Sequence, residues 1–330
     1  MILVIGGAGY IGSHMAAALL ESGYPVVVFD NLSTGHRGQV PEDAVFVEGD
    51  LRNPVNIRDL FKSYPVSVVI HMAASSQVGE SVTAPLKYYQ NNVAACIHLL
   101  EQMSAFRIPH LIFSSTAAVY GNSADIPLTE DSQTQPINPY GHSKLMIEQI
   151  IRDAAAAHLF SYVVLRYFNA AGAHEEKNLG EMHEPESHLI PNLLASLNGQ
   201  GQILTVYGND YETPDGTCVR DFIHVQDLCD AHVRAVRHLQ NGGASETFNL
   251  GSEQGFSVGE VIQRAQSITG REARVTIGPR RAGDPAVLIA SSEKARRILG
   301  WAPQRNLDAI LQTAWKWHER VQKNEIKAAA

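Results

Sequence analysis

Apolar and polar positions are ordered differently in the two halves of the chain. Up to about residue 173, short apolar runs recur at 2–5, 26–29, 44–47, 67–71, 110–114 and 161–166. Between them lie longer stretches, at 13–21, 56–63, 86–105 and 139–158, whose apolar residues fall on one helical face. An unbroken short run fits a strand covered on both sides, and a repeat of three to four fits an amphipathic helix. Their alternation predicts right-handed strand–helix–strand units. The fold class is therefore α/β, a doubly wound parallel sheet with helices on both faces.

Beyond 173 the pattern loosens. Segments 175–186 and 209–221 are charged or polar and predict loops, while helical periodicity returns at 226–240, 257–269 and 307–321. Residues 174–330 are expected to form a smaller C-terminal α/β lobe over the sheet's C-terminal edge, where open α/β sheets bind ligands. Part of 225–250 is expected to return to the sheet. The 323–330 tail is expected to fray.

Composition narrows the functional classes. The chain has 330 residues, 45% hydrophobic and 18% charged, which suits a globular protein with a sizeable core. A net charge of -8 and a pI near 5.9 give no general polyanion footprint, so no nucleic-acid partner is expected. A local cationic pocket for a phosphorylated small molecule stays compatible. Cys96, Cys218 and Cys229 are odd in number and form no C-x-x-C pair, which points to a reducing compartment. The first residues lack a basic segment, and their apolar run is too short for a signal peptide or a membrane span. A cytoplasmic protein with no membrane partner is the expectation.

The first run leads straight into Gly6-Gly7-Ala8-Gly9-Tyr10-Ile11-Gly12, with glycines at 6, 9 and 12. A tight turn of this kind lets backbone N–H groups reach a pyrophosphate, and the following helix points its dipole there. The second run ends in Asp30, 18 residues after Gly12. An acid at that place accepts from both adenosine ribose hydroxyls and repels a 2′-phosphate, which favours NAD over NADP; Arg37 is the reservation. Residues 1–173 thus read as a Rossmann-type NAD-binding domain. Asp50, after the third run, either accepts from the adenine amino group or simply ends a strand.

Asn138-Pro139 predicts a helix start, with Tyr140 in the first turn and Lys144 one turn on along the same face. A phenol acts as a base only with help, because its unperturbed pKa is about 10. A neighbouring ammonium, the cofactor's own positive nicotinamide and the helix dipole favour the phenolate. A third member is expected at the end of the 110–114 run. Thr116 is the choice, and Ser115 competes with it.

The glycine loop, the Ser/Thr strand end and the Tyr-x-x-x-Lys pair together resemble the extended short-chain dehydrogenase/reductase family. Segments 6–14, 30–32, 78–81, 88–93, 114–121, 139–148, 165–173, 207–211, 215–217, 219–225, 249–251 and 280–285 narrow the resemblance to its UDP-galactose/UDP-glucose 4-epimerases. The resemblance covers nearly the whole chain. It implies NAD contacts from Gly6, Gly9, Tyr10, Ile11, Gly12, Asp30, Asn31, Asp50, Leu51, Asn91, Thr116, Tyr140, Lys144 and Phe168. It also implies that Met72, Ala73, Ala74 and Ser76 line the cofactor; some members carry lysine where Ser76 stands. The UDP-sugar side is implied for Thr116, Tyr140, Asn169, His188, Leu189, Thr205, Val206, Tyr207, Arg220, Arg281 and Asp284.

Forked guanidinium groups suit a diphosphate, so Arg220 and Arg281 agree with that assignment. An internal salt bridge to Asp221 or Asp227 is the alternative for Arg220. Tyr207 and Phe168 read equally as ring-stacking or core residues. Leu288 aligns with a sugar-facing position where some members carry tyrosine, which raises the question of N-acetylated substrates.

A related dehydratase would carry an Asp-Glu pair after the threonine; here Ala117-Ala118 follow and cannot transfer protons. A catalytically inactive NAD-binding sensor would lack the Thr/Tyr/Lys set. His183 and His188 lie near Glu181, Glu184 and Glu186 without metalloprotease spacing, so a solvated loop is expected there. A homodimer is implied through helices 86–105 and 139–158, with Leu99, Leu100, Met103, Met146 and Ile150 as either dimer face or core.

Overall fold

The protein is described by a computed structural model covering residues 1–323 except 124, 159, 200, 201 and 282. The expected fraying of the tail beyond 323 lies outside the described residues.

Six of the early apolar runs form strands: β1 (Ile2–Ile5), β2 (Val26–Asp30), β3 (Val45–Glu48), β4 (Val68–His71), β5 (His110–Thr116) and β6 (Ser161–Tyr167). Between them run α1 (Tyr10–Glu21), α2 (Pro54–Ser63), α3 (Val78–Thr83), α4 (Pro85–Tyr88), a π-helical turn (Tyr89–Ala94), α5 (Ala95–Ala105) and α6 (Pro139–His158). The single helix expected over 86–105 is therefore interrupted. The wider turn lets Asn92 leave the helix surface and bind a distant loop, as shown below.

After β6 come β7 (Asn169–Ala171), α7 (Leu189–Leu197), β8 (Leu204–Tyr207), β9 (Val219–His224), α8 (Val225–Gln240) and β10 (Glu246–Leu250). The chain continues through β11 (Gly255–Ser257), α9 (Val258–Thr269), β12 (Val275–Gly278), β13 (Val287–Leu288), α10 (Glu293–Leu299) and α11 (Leu307–Gln322). The loop expected over 209–221 thus ends in a strand. β9 was hidden by Arg220 and Asp221, both buried and both paired with groups far along the chain.

The main sheet has seven parallel strands in the order β10-β6-β5-β4-β1-β2-β3. Strand β1 is buried along its whole length. Ile2 and Val4 face one core with Met15 and Leu19 of α1 and Leu228 and Val236 of α8. Leu3 and Ile5 face the other, with Ile57 of α2, Leu99 and Met103 of α5, and Ile147 and Ile151 of α6. Both faces are covered, so the strands are continuous apolar runs. Strand order reverses between β1 and β4, which opens a crevice at their C-terminal ends.

The second lobe has a four-stranded sheet around β9 and a two-stranded β8–β12 sheet. They pack with α7, α9 and α11 around Leu193, Val261, Ile310 and Leu311. Ser257 and Glu260 form a reciprocal capping box that starts α9. Among the described residues no helix is long and apolar enough to cross a membrane.

Candidate functional site

The glycine turn sits at the crevice. A Cβ on Gly12 would lie 2.0 Å from the Gly6 carbonyl oxygen, so only glycine lets α1 begin this close to β1. Gly9 caps α1 with no side-chain hydrogen bond, and the first turn carries no acid. The leading N–H groups are therefore left to an anion, and the dipole favours one. Tyr10 is buried and donates from its hydroxyl to the Gly172 carbonyl at 2.6 Å, tying α1 to the second lobe; Ile11 packs on the core.

Asp30 ends β2 buried and accepts from Ala8 N at 2.9 Å and Leu32 N at 2.8 Å. Burial raises its carboxyl, while those donors oppose the shift. Arg37 lies over the Phe46 ring at 4.5 Å. Asn31 donates to Asp50 at 3.1 Å, and Arg52 forks onto the same carboxylate, holding it near 2. Leu51 is a core residue. The glycine turn, the free helix start and the buried acid in one crevice fit an NAD-type dinucleotide by donor chemistry.

Following β4, Met72 and Ala73 pack into the two cores and Ser76 is exposed. Asn91 donates to the Ser75 hydroxyl at 3.1 Å. Asn92, which sequence reasoning missed, is buried and does more. It accepts from Ser75 N at 2.8 Å and donates to the Ser75 carbonyl at 3.0 Å and to Ser143 Oγ at 3.1 Å. It clamps the 72–76 segment to α6. The one signal for it was an amide pair inside an otherwise helical pattern.

Asn138 caps α6 by accepting from Gly141 N at 2.9 Å, so the predicted start is observed. A Cβ on Gly141 would come 2.6 Å from the Ala118 carbonyl oxygen. This close approach sets Tyr140 against the end of β5. The Thr116 hydroxyl faces the Tyr140 phenol and lowers its pKa, but burial raises it more. Lys144 is turned elsewhere: its Nζ donates to the Ser114 carbonyl at 2.8 Å and lies 4.8 Å from the Phe113 ring centre. Burial brings the Lys144 pKa down to about 8.

Thr116 and Ser115 are neighbours in β5, so strand alternation sends their side chains to opposite faces. Ser115 Oγ donates to Glu148 at 2.6 Å on the opposite face. Glu148 is also gripped by Arg166 at 3.0 and 2.7 Å. Arg166 reaches Tyr120 at 2.9 Å, and Tyr120 donates to Asn249 at 2.6 Å. This buried chain fixes α6 against β5, β6 and β10. Glu148 and Arg166 had no local sequence signal.

On the lobe side, Asn169 is exposed on β7. Phe168 is not a free stacking face; it packs with Tyr120, Leu128, Ala290 and Leu288. Leu189 and Val206 turn into the lobe core, while Thr205 stays partly open. Arg220 pairs with Asp284, not with Asp221 or Asp227, and also donates to the Pro285 carbonyl at 2.7 Å. Asp221 is occupied by Ser252, Glu253 and Ala290, and Asp227 by Gln304 and Arg305. The Arg281 guanidinium lies 3.9 Å from the centre of the exposed Tyr207 ring.

The 175–186 segment is not simply solvated. Glu181, His183, Glu186 and His188 converge, and the His36 ring meets the Met182 carbonyl at 2.9 Å, closing this strap over the glycine turn.

Comparison with known proteins agrees with this geometry. Residues 2–251 match the model of the NAD dependent epimerase/dehydratase family. The chain is 49% identical over 319 residues to a UDP-glucose 4-epimerase of Lacticaseibacillus casei, covering 96% of each. A UDP-glucose 4-epimerase from Brucella ovis in complex with NAD superposes with a TM-score of 0.92 at 47% identity, covering 96% of this chain and 97% of that one. The UDP-Glc/GlcNAc 4-epimerase of Campylobacter jejuni superposes at 0.83 with 40% identity, covering 97% and 99%.

Proposed function

Because the chain belongs to the NAD dependent epimerase/dehydratase family, we propose that Tyr140, Thr116 and Lys144 carry out its chemistry at C4 of a UDP-hexose. The activity is NAD-dependent 4-epimerisation through a transient 4-keto sugar, on the UDP-glucose/UDP-galactose pair. The observation that carries the residue assignment is the seating of Tyr140 against Thr116, forced by the Gly141 approach to Ala118.

Bound NAD supplies the acceptor and return donor for the C4 hydrogen, and a positive ring charge beside the phenol. Tyr140 takes the proton of the sugar 4-hydroxyl and later returns it. Thr116 donates to the same oxygen and orients it. Lys144 holds the nicotinamide ribose and adds positive charge near the phenol. Gly6, Gly9 and Gly12 hold the cofactor phosphates, and Asp30 the adenosine ribose. Asn31, Asp50, Leu51, Asn91 and the 72–76 segment line the rest. Arg220, Arg281, Asp284, Tyr207, His188 and the main chain at 189 and 205–206 hold UDP, which lets the keto sugar turn while the handle stays fixed. Residues 1–173 with β10 hold the cofactor, and 174–330 otherwise hold the nucleotide sugar.

We place the enzyme in the cytoplasm and in galactose metabolism. We also read it as a homodimer, with a corrected contact face. Leu99, Leu100 and Met103 are core residues. Leu86, Ile97 and Met146 are exposed on the same helices and supply the apolar surface. A second substrate reading, UDP-N-acetylglucosamine, rests only on Leu288 standing where some members carry tyrosine; here Leu288 is partly buried against the cluster of Tyr120 and Phe168.

The test is purification followed by a UDP-galactose assay without added cofactor, run beside UDP-N-acetylgalactosamine. Conversion to UDP-glucose is expected. No conversion of either sugar refutes the assignment, and no N-acetyl turnover removes the second reading.

A further inference from the structure

The strap between β7 and α7 carries four polar side chains whose ligating atoms lie within 4.8 Å of one another. They are not equivalent. The Glu181 side chain is 7% exposed and His188 is 51% exposed. Glu181 contacts His183 Nδ1 at 3.1 Å and also His188 Nδ1. It is anchored from behind, since the Trp317 indole donates to its main-chain oxygen at 2.9 Å. Glu186 accepts from the N–H groups of Ser187 and His188 at 2.8 Å each. His188 is the outward member. It stands at the start of α7, where its side chain caps nothing.

We propose that Glu181 is a positioning residue that holds His188 as a cation, aimed with Arg281 and the first turn of α7 at the diphosphate of the nucleotide sugar. The inference rests on the reading above, which puts His188 and Arg281 on the substrate side.

A positive charge at a helix N-terminus is opposed by the helix dipole, so a compensating acid is needed there. Two are present, one of them buried and in contact. The groups facing His188 are Glu181, Glu186 and His183 on the strap and Arg281 after β12. Tyr10 of α1 closes the cluster from below, with its ring 6.4 Å from that of His183. Burial opposes the imidazolium and Arg281 repels it, but Glu181 and Glu186 outweigh both and lift His188 to about 9. A protonated ring held through Nδ1 offers Nε2–H to an anion, in a charge-assisted bond.

The same four side chains resemble a transition-metal donor set. A metal would have to displace a proton held to about pH 9. Metal binding at this cluster therefore competes directly with the imidazolium, and the two occupants are separated by the Zn2+ arm of the test below.

The experiment titrates UDP into the NAD-loaded enzyme by calorimetry across pH, for the natural chain and Glu181→Gln. The natural chain should keep its UDP affinity until pH approaches 9. In the variant the fall should begin near the ordinary histidine pKa of about 6.5. At pH 8 the Kd should be weaker by about tenfold, with kcat changed less than about twofold. Glu181→Asp should recover part of the loss. An unshifted pH profile overturns the proposal, as does stoichiometric Zn2+ binding by the natural chain that blocks UDP. Should the glutamine variant not fold, His188→Gln must remove the fall in UDP affinity that the natural chain shows between about pH 8 and 10; a profile left unchanged also overturns the proposal. A natural chain that fails to epimerise UDP-galactose sinks the underlying reading and this proposal with it. An active chain with an unshifted profile sinks this proposal alone.

Discussion

Around the end of β5, Ser115, Glu148, Arg166 and Tyr120 are buried and spend their hydrogen bonds on one another. In the second lobe, His188, Tyr207 and Arg281 are exposed, with Arg281 laid on the Tyr207 ring and His188 in contact with Glu181. The first region fixes geometry by burial, where a saturated polar chain leaves each side chain one arrangement. Under the proposed function, the second keeps exposed handles for an anion. Proton removal at one oxygen needs the first kind of construction. A sugar that must turn over while its diphosphate stays held needs the second.

The largest expected effect is that of Tyr140→Phe. Loss of the base should cut kcat by about a thousandfold while the NAD that copurifies stays the same. Steady-state assay and the absorbance of bound cofactor check both halves, and near-normal turnover removes the phenol from the mechanism.

Next is Glu148→Ala, which leaves the Arg166 charge buried and unpaired. Urea unfolding should show a loss of about 3–5 kcal/mol. A loss under about 1 kcal/mol would erase the contrast, because that is the range of an exposed pair.

Gly12→Ala should disturb the α1 start by about 1–3 kcal/mol, since the added methyl meets a backbone oxygen. The readout is a fall in copurified NAD.

Lys144 gives a pH effect whose sign is fixed. Burial sets its folded pKa near 8 against an ordinary lysine value of 10.5. Between those values the unfolded chain holds the proton and the folded chain does not, so stability rises with pH across that window. Below about pH 8 both states are charged and the full penalty of burying the ammonium applies. Unfolding of NAD-free protein should show this rise, and Lys144→Met should lack it. Equal pH slopes for the two would contradict the assigned burial.

The smallest effect belongs to Arg52→Ala. Its pair with Asp50 is largely exposed, so stability should change by under about 1 kcal/mol despite the short contact.

The same contrast explains what was readable from residues alone. Strands β1 to β6 and helix α6 follow local apolar periodicity, and the Asn-Pro start of α6 is a local cap signal. The glycine turn, Asp30 and the Tyr140–Lys144 spacing are likewise short-range. The 86–105 helix breaks because Asn92 binds Ser75 and Ser143, contacts that only the fold creates. β9 reads as polar because Arg220 and Asp221 find partners more than sixty residues away. Leu99, Leu100 and Met103 show the limit of periodicity: an apolar stripe does not say whether core or partner covers it. Phe168 was undecidable for the same reason, and the structure puts it in the core.

The most direct test of the account follows UDP-galactose carrying deuterium at C4 through the NAD-loaded enzyme, with no added cofactor. UDP-glucose with the label still on C4 and cofactor that stays bound is the expected result, because the atom leaves and returns within one closed site. Label lost to solvent, or NADH released stoichiometrically with a keto product, would contradict it.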